Sequence, residues 1–262
     1  MRGNVSWVGL LAGVVLLVWS TMSAGLQGTI VNAHSLVMVL GGVVCAALIN
    51  YPLSEIIRAL GSLFSIMLPS TLPSYEQIAA EMLRLAEIAR AQGGMLALQN
   101  EGGGFAGGFL NRAILVAIAA GETKKARDIL DGDIRQKRIL QQESGNLFRT
   151  LGTLAPMFGL MGTLFGIIMV LRNMTDPTKV GAAMAVAITA SLYGIALANL
   201  VFIPIAGNIR VRALQEAQVR EAIVDGVLEM MDTPSLYVLE LRMGSYTQQT
   251  AFRARAAEAP PA

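Results

Sequence analysis

Cysteine, histidine and charge are the scarce components of this chain. One cysteine, Cys45, and one histidine, His34, occur in 262 residues. A lone cysteine excludes an intrachain disulfide framework, and these two residues cannot build a structural zinc site. A serine–histidine triad would have to run through His34, which sits in apolar sequence with no acidic neighbour to orient it. Charged residues make up 15% of the chain and apolar residues 54%, whereas soluble domains average about 25% charged. That supply is too small to cover a water-facing surface, so lipid is the expected solvent for much of the chain. The net charge of +2 provides no basic field, and no nucleic-acid partner is expected. No constellation supports catalysis. The chain reads as a non-enzyme with no cofactor and no fixed metal.

What is present is long apolar runs. Crossing a bilayer as a helix takes about 20 such residues. Four stretches qualify: Val5–Met22, Ser35–Tyr51, Leu151–Leu171 and Val180–Ala206, none with Asp, Glu, Lys or Arg. The first is read as a retained span rather than a signal peptide, because its only basic flank is Arg2 and a second span follows closely. The fold class is therefore all-α: a polytopic membrane protein with four transmembrane helices and a helical cytoplasmic domain. Residues 1–51 hold helices 1 and 2, 52–150 the cytoplasmic domain, 151–206 helices 3 and 4, and 207–262 a C-terminal helix and tail. Between spans two and three lie 11 Lys/Arg and 10 Asp/Glu, while Ser23–His34 carries no formal charge. Arg58, Arg149, Arg210 and Arg212 flank the inner ends. The positive-inside rule then puts both termini and the large loop in the cytoplasm of an inner-membrane protein.

The large loop reads as helical. Pro69 and Pro73 break it after a linker helix. Ile78, Met82, Leu85, Ile88 and Ala89 recur at helical spacing. Leu110–Ala120 stops at Gly121, Thr123 caps a short helix to about Leu130, and a longer one from about Asp133 runs into span three. The tail Arg210–Met231 is amphipathic, and the Ala/Pro-rich end Arg253–Ala262 is expected to be disordered. Gly102, Gly104 and Gly107 satisfy G-x-G-x-x-G literally, but the dinucleotide fingerprint requires a preceding strand. A flexible glycine turn fits the context better.

Inside the spans three features bear on function. Pro156 and Pro204 each free a backbone carbonyl, either as a tolerated kink or as a polar spot on a pathway. Thr163, Thr189 and Ser191 carry hydroxyls that either bond back to their own helix or ligate a hard cation. Small residues stud the helices: Gly162 and Gly166 in span three, Ala183, Ala187, Ser191 and Gly194 in span four. Such stripes let another helix come close in lipid. Ion carriers need an ionisable group at membrane depth, and these spans contain none. Either the chain moves no ions or a partner helix supplies the carboxylate, with the small-residue faces surrounding it.

The stretch LAPMFGLMGTLFGIIMVLRNMTDPTKVGAAMAVAITASLYGIALANLVFIPIA, Leu154–Ala206, resembles the MotA/PomA family of flagellar motor stator subunits, within the wider MotA/TolQ/ExbB superfamily. Its AP-x-x-G-x-x-GT-x-x-G, N-x-x-DP, LYG, LAN and P-x-A elements are all those of the family. SLVMVLGGVVCAALINYP, AEIARAQGGMLALQ and REAIVDGVLEMMDTPS are similar to further family segments, so the resemblance covers nearly the whole chain. It implies an A-type subunit that self-associates as a pentamer around a B-type partner (MotB/PomB-like). That partner supplies the intramembrane aspartate, and cation flow becomes torque on a FliG-like rotor protein in bacterial flagellum-dependent motility and chemotaxis. By the same resemblance the ion pathway takes in Pro156, Pro204, Thr163, Ala190 and Ser191. Thr163 matches a position associated with sodium-type members, with transient sodium near it, while Ala190 replaces one hydroxyl of a threonine pair. Na+ is preferred over H+ as the transported ion. The rotor contact involves Arg90. Gln99 stands where the family has a glutamate, and Glu101 is a candidate displaced substitute.

Two rival readings differ in testable ways. A TolQ/ExbB-like or gliding-type motor subunit would have one span before the cytoplasmic block instead of two. A passive membrane scaffold would respond to hydroxyl and proline changes only through stability.

Overall fold

The computed structural model describes residues 2–23, 25, 32–67, 72–232 and 235–246. The Ala/Pro-rich end and Pro69 lie outside the described residues, as does most of the loop between the first two spans. Among the described residues the regular structure is entirely helical: α1 (Arg2–Ser23), α2 (Ala33–Asn50), α3 (Leu53–Met67), α4 (Tyr75–Ala91), α5 (Phe109–Ala120), α6 (Thr123–Arg172), α7 (Pro177–Ala196) and α8 (Ile203–Asp232). A last helix, α9, covers 236–246. The chain divides into two compact units, one of residues 1–70 and 140–211, the other of 71–139 and 212–262.

The first unit carries the apolar helices. α2, α6 and the continuous helical stretch Pro177–Asp232 are long and apolar enough to cross a membrane. In α1 the corresponding apolar stretch, Leu11–Ser23, is shorter. Val43, Ala47, Ala59, Leu147, Phe148, Leu151, Ala155, Ala198 and Ile209 form the unit's buried core. In α2, Gly42 has a packing reason, since a methyl group there would fall 2.3 Å from the Phe158 ring, whereas one at Gly41 would meet open space. The Asp176–Pro177 dipeptide starts α7 by two independent means. Asp176 accepts from the backbone N–H of Thr178 (3.1 Å) and Lys179 (3.4 Å), and Pro177 takes a first-turn position where its missing N–H costs nothing.

The second unit is a helical domain around Ile78, Met82, Leu85, Leu98, Leu110, Ile114, Leu130, Ile223, Leu228 and Leu239. Ser74 and Gln77 form a reciprocal capping box at the start of α4. α5 ends at Gly121 in the left-handed region (φ +62°), as its sequence predicts. Asp225 gathers three donors: Arg127 (2.9 Å), Tyr246 (2.7 Å) and Arg242 (3.4 Å). Tyr246 also stacks on Tyr75 with ring centroids 5.9 Å apart, so α9 is fastened at both a polar and an aromatic contact. Burial, and then the bond to the Asp225 carboxylate, push the Tyr246 phenol above its ordinary range.

Three boundaries differ from the sequence expectation. The short helix after Thr123 and the helix from Asp133 are one 50-residue helix, α6, about 75 Å long at 1.5 Å per residue. Gly132 is tolerated inside it. Thr123 is the first helical residue rather than the cap, and its hydroxyl donates to the Asp232 carboxylate. The amphipathic tail is not a separate helix. α7 continues through a wide π-helical turn, Leu197–Phe202, into α8, and Pro204 stands two residues beyond that turn. The register shift there coincides with the donor that proline lacks.

Candidate ion pathway and rotor face

The small residues of α6 and α7 pack against each other. A methyl group at Gly162 would lie 2.4 Å from Ala190 Cβ, and one at Gly166 2.4 Å from Ala187 Cβ. At Gly159 it would meet the Ala190 carbonyl oxygen at 3.0 Å and Ser191 Cα at 3.2 Å. At Gly194 it would meet the Ala155 oxygen at 2.6 Å and Pro156 Cα at 3.2 Å. The two backbones therefore touch along about three turns, because nothing larger than hydrogen or methyl separates them. Within the chain, the helix that comes close to this stripe is α6. Ala183, Ala187, Ala190 and Gly194 are buried from within the chain.

The candidate pathway residues sort accordingly. Ala190 is fully buried, and its methyl group packs against Gly162. Pro156, Thr163, Ser191 and Pro204 are all partly exposed. Pro156 and Thr163, seven residues apart, share one face of α6, and Ser191 lies against Gly159, one turn before Thr163. Thr163 Oγ1 donates to the Leu160 carbonyl at 2.6 Å. That bond uses the hydroxyl proton and leaves oxygen lone pairs that can face a cation. Pro156 removes the bond that the Gly152 carbonyl would otherwise receive.

Thr189 forms a polar pair with Ser35, a residue that the sequence did not single out. Ser35 on α2 is buried, 2.9 Å from Thr189 Oγ1 on α7 and 3.0 Å from the Val186 carbonyl. Thr189 also bonds back to Ala185 (2.8 Å). One turn further along α7, the Asn32 N–H donates to the Tyr193 hydroxyl at 3.2 Å. These contacts fasten α2 to α7 and hold Thr189 in structural bonds. A serine opening an otherwise apolar span was the available signal.

In the second unit, Arg90 is exposed near the end of α4 and makes no ion pair among the described residues. Gln99 is exposed, and its carbonyl accepts from Asn111 at 3.5 Å. Glu101 is partly exposed and salt-bridged. Arg84 holds it at 2.8 Å while also binding Glu81 at 2.7 Å, and Asn111 donates to its carbonyl at 2.8 Å. The loop carrying Glu101 is thus tied to α4 by the arginine between the two acids. The glycines that follow, Gly102, Gly104, Gly107 and Gly108, all adopt positive φ; the first two lie between the short 3-10 turns Met95–Leu98 and Phe105–Gly108 and the last two within the second, with no strand before them. Their positive φ favours glycine at each position, and at Gly102 a methyl group would also strike Leu110 at 2.8 Å.

The profile of the MotA/TolQ/ExbB proton channel family matches residues 104–222. Chemotaxis protein PomA of Vibrio alginolyticus is 31% identical over 245 residues, 92% of this chain and 94% of that protein. The flagellar MotAB stator complex from Bacillus subtilis contains a chain with TM-score 0.79 and 24% identity, covering 92% of this chain and 98% of its own. A chain of C. jejuni MotAB gives TM-score 0.80 at 20% identity, covering 91% and 95%. Fold and sequence together define a helical membrane protein of the MotA/TolQ/ExbB proton channel family. Within that family the chain belongs to the MotA/PomA group, the stator A subunits of flagellar motors.

Proposed function

We propose that this stator subunit forms a pentameric ring around a B-type partner in the bacterial inner membrane and converts cation flow into torque on a FliG-like rotor. The observation that carries this reading is a deficiency. The apolar parts of the spans hold hydroxyls and proline-freed carbonyls but no Asp, Glu, Lys or Arg, so the chain lacks the ionisable group that intramembrane cation transfer requires. A B-type helix bearing an aspartate completes the site. Relatives solved as MotAB complexes support such a pairing. In this reading four helices cross the membrane, both termini and the second unit are cytoplasmic, and exposed Arg90 meets the rotor. Sodium is the preferred ion, because a partly dehydrated sodium needs oxygens beyond the carboxylate, and Thr163, Ser191 and the Gly152 carbonyl can supply them.

The test is partner-dependent conduction. Co-expressed with its B-type partner, freed of any plug, the chain should give a cation leak that vanishes when the partner's aspartate becomes asparagine. Selective flux through the purified chain alone would overturn the reading.

A further inference from the structure

We propose that Asn199, in the wide turn joining α7 to α8, is a cation-coordinating residue on the exit side of the pathway, beyond Thr163 and Ser191. The inference rests on the reading of the chain as an ion-driven stator subunit and adds a residue to its pathway. Asn199 is exposed, and its Nδ2 donates to the Ile195 carbonyl at 3.0 Å. A carbonyl can only accept, so the other end of the amide is the oxygen. That Oδ1 accepts no hydrogen bond among the described residues. It is a hard oxygen of the kind that ligates cations.

The α6–α7 seam fixes the side on which Asn199 stands. On both helices the residue before a seam position meets α2: Phe158, before Gly159, lies against Gly42, and Thr189, before Ala190, bonds to Ser35. The two helices run antiparallel, so the residues that follow seam positions share the opposite side, away from α2. On α6 these are Thr153, Leu160 and Thr163; on α7 they are Ser191, Ile195 and Asn199. Each is exposed or partly exposed, and each follows a buried glycine or alanine. Depth follows from the same seam. Gly194 lies beside Pro156, and Gly152 beside Ile203. Asn199 falls between 194 and 203 as Thr153 falls between 156 and 152, so the two stand at one level. That level is about 15 Å from Thr163 at ~1.5 Å per residue.

The chemistry of this face assigns Asn199 to release. Between the Thr163–Ser191 region and that level the exposed side chains are apolar: Leu160, Met157 and Ile195. The side-chain oxygens reached next are those of Thr153 and Asn199. Thr153 donates its hydroxyl proton to the Arg149 carbonyl at 3.1 Å, which leaves its lone pairs for a cation. Beyond them a cleft of about 770 Å³ is lined by Arg149 and Arg210 and by no carboxylate. Two guanidinium charges repel a cation, so the cation is held last at Asn199 and Thr153 before it enters the cleft. In the inward flow of the stator reading, Thr163 acts on uptake and Asn199 on release.

The experiment measures cation leak through the full complex with its B-type partner, freed of any plug, against external sodium. N199L keeps the size of the side chain and removes its oxygen. Leak at saturating sodium should fall about tenfold, the effect of losing one contact to a charged group, while half-saturating sodium stays the same or falls. T163A should instead raise half-saturating sodium. N199Q, which keeps the amide, should retain most of the leak. B-subunit co-purification and melting temperature should match the parent, and N199A carries the same expectation where N199L disturbs assembly. Where the parent carries protons, the comparison is read against external pH. Parental leak at saturation in both N199L and N199A overturns the inference alone, as does a loss that appears only with weaker assembly. A parent complex that conducts no cation overturns the stator reading and this inference together.

Discussion

Individual glycines set the spacing of the membrane helices, and a single methyl group tests them. Gly162→Ala would bring two methyl carbons to 2.4 Å, so α6 and α7 must part. The expected loss is about 1–3 kcal/mol, the usual cost of overpacking, read as a lower melting temperature of the purified complex. Ala190→Gly in the same chain should restore it, because the remaining neighbours of the new methyl lie at 3.7 Å or beyond. Gly166→Ala should resist rescue by Ala187→Gly, since it also meets Ala187 Cα at 2.9 Å and the Ala183 oxygen at 3.0 Å. Thr163 is the residue on which the ion preference is tested. Thr163→Ala removes a partly exposed oxygen without touching the buried α6–α7 seam. Rotation should drop more at low sodium than at high sodium, at fixed pH. Equal loss at every sodium concentration would assign the hydroxyl a structural role.

At the scale of elements, caps and fastenings decide where helices begin and whether they stay docked. Asp176→Ala removes the side-chain acceptor for two backbone N–H groups of α7 and should cost about 1 kcal/mol. Asp176→Asn, which retains an acceptor, should lose much less in the same thermal assay. α9 is held by Tyr246, whose phenol pKa is raised by burial and then by the Asp225 carboxylate. The folded state thus favours the neutral phenol. The stabilisation is fully present below the unfolded value of about 10. It is lost as pH rises through the higher folded value. Thermal stability should therefore decline above pH 10 in the parent protein, with the decline reduced in Tyr246→Phe. An identical alkaline decline in both would exclude Tyr246 as its source.

For the whole molecule the decisive property is which segments face which side of the membrane. In a Cys45→Ser background, single cysteines at Gly28 and Thr175 should react with an impermeant thiol reagent in intact cells. Those at Gln99 and Glu221 should react only after lysis. Labelling of Gln99 from outside would overturn the proposed orientation, and labelling of Gly28 only after lysis would remove the first span. Arg90 also belongs to this scale, because its proposed role is contact with another assembly. Charge reversal there should impair motility while membrane level and B-subunit binding remain normal. Arg90 has no ion pair among the described residues that reversal would break.

Much of the architecture follows from local chemistry that any reader of the sequence can apply. The apolar runs without charge specify membrane helices because the bilayer accepts little else. Gly121 marks the end of α5 because an L side chain resists positive φ, and the α4 stripe from Ile78 to Leu85 marks its core face by period alone. The family resemblance was legible for a related reason: the small residues, prolines and Asp–Pro turn are constrained by backbone geometry, so they stand in fixed order. Tertiary structure decided what each of those residues touches. Whether Ala190 lines a pathway or lies under Gly162 depends on which helix is its neighbour, and helical period says nothing about neighbours. Glu101 reads as a free charge until Arg84, 17 residues earlier, is brought beside it by the loop. Ser35 reads as an isolated hydroxyl until α7 supplies Thr189. The α6–α7 seam likewise exists only because segments far apart along each helix run side by side with glycine and alanine between them, an arrangement set by the packing of whole helices.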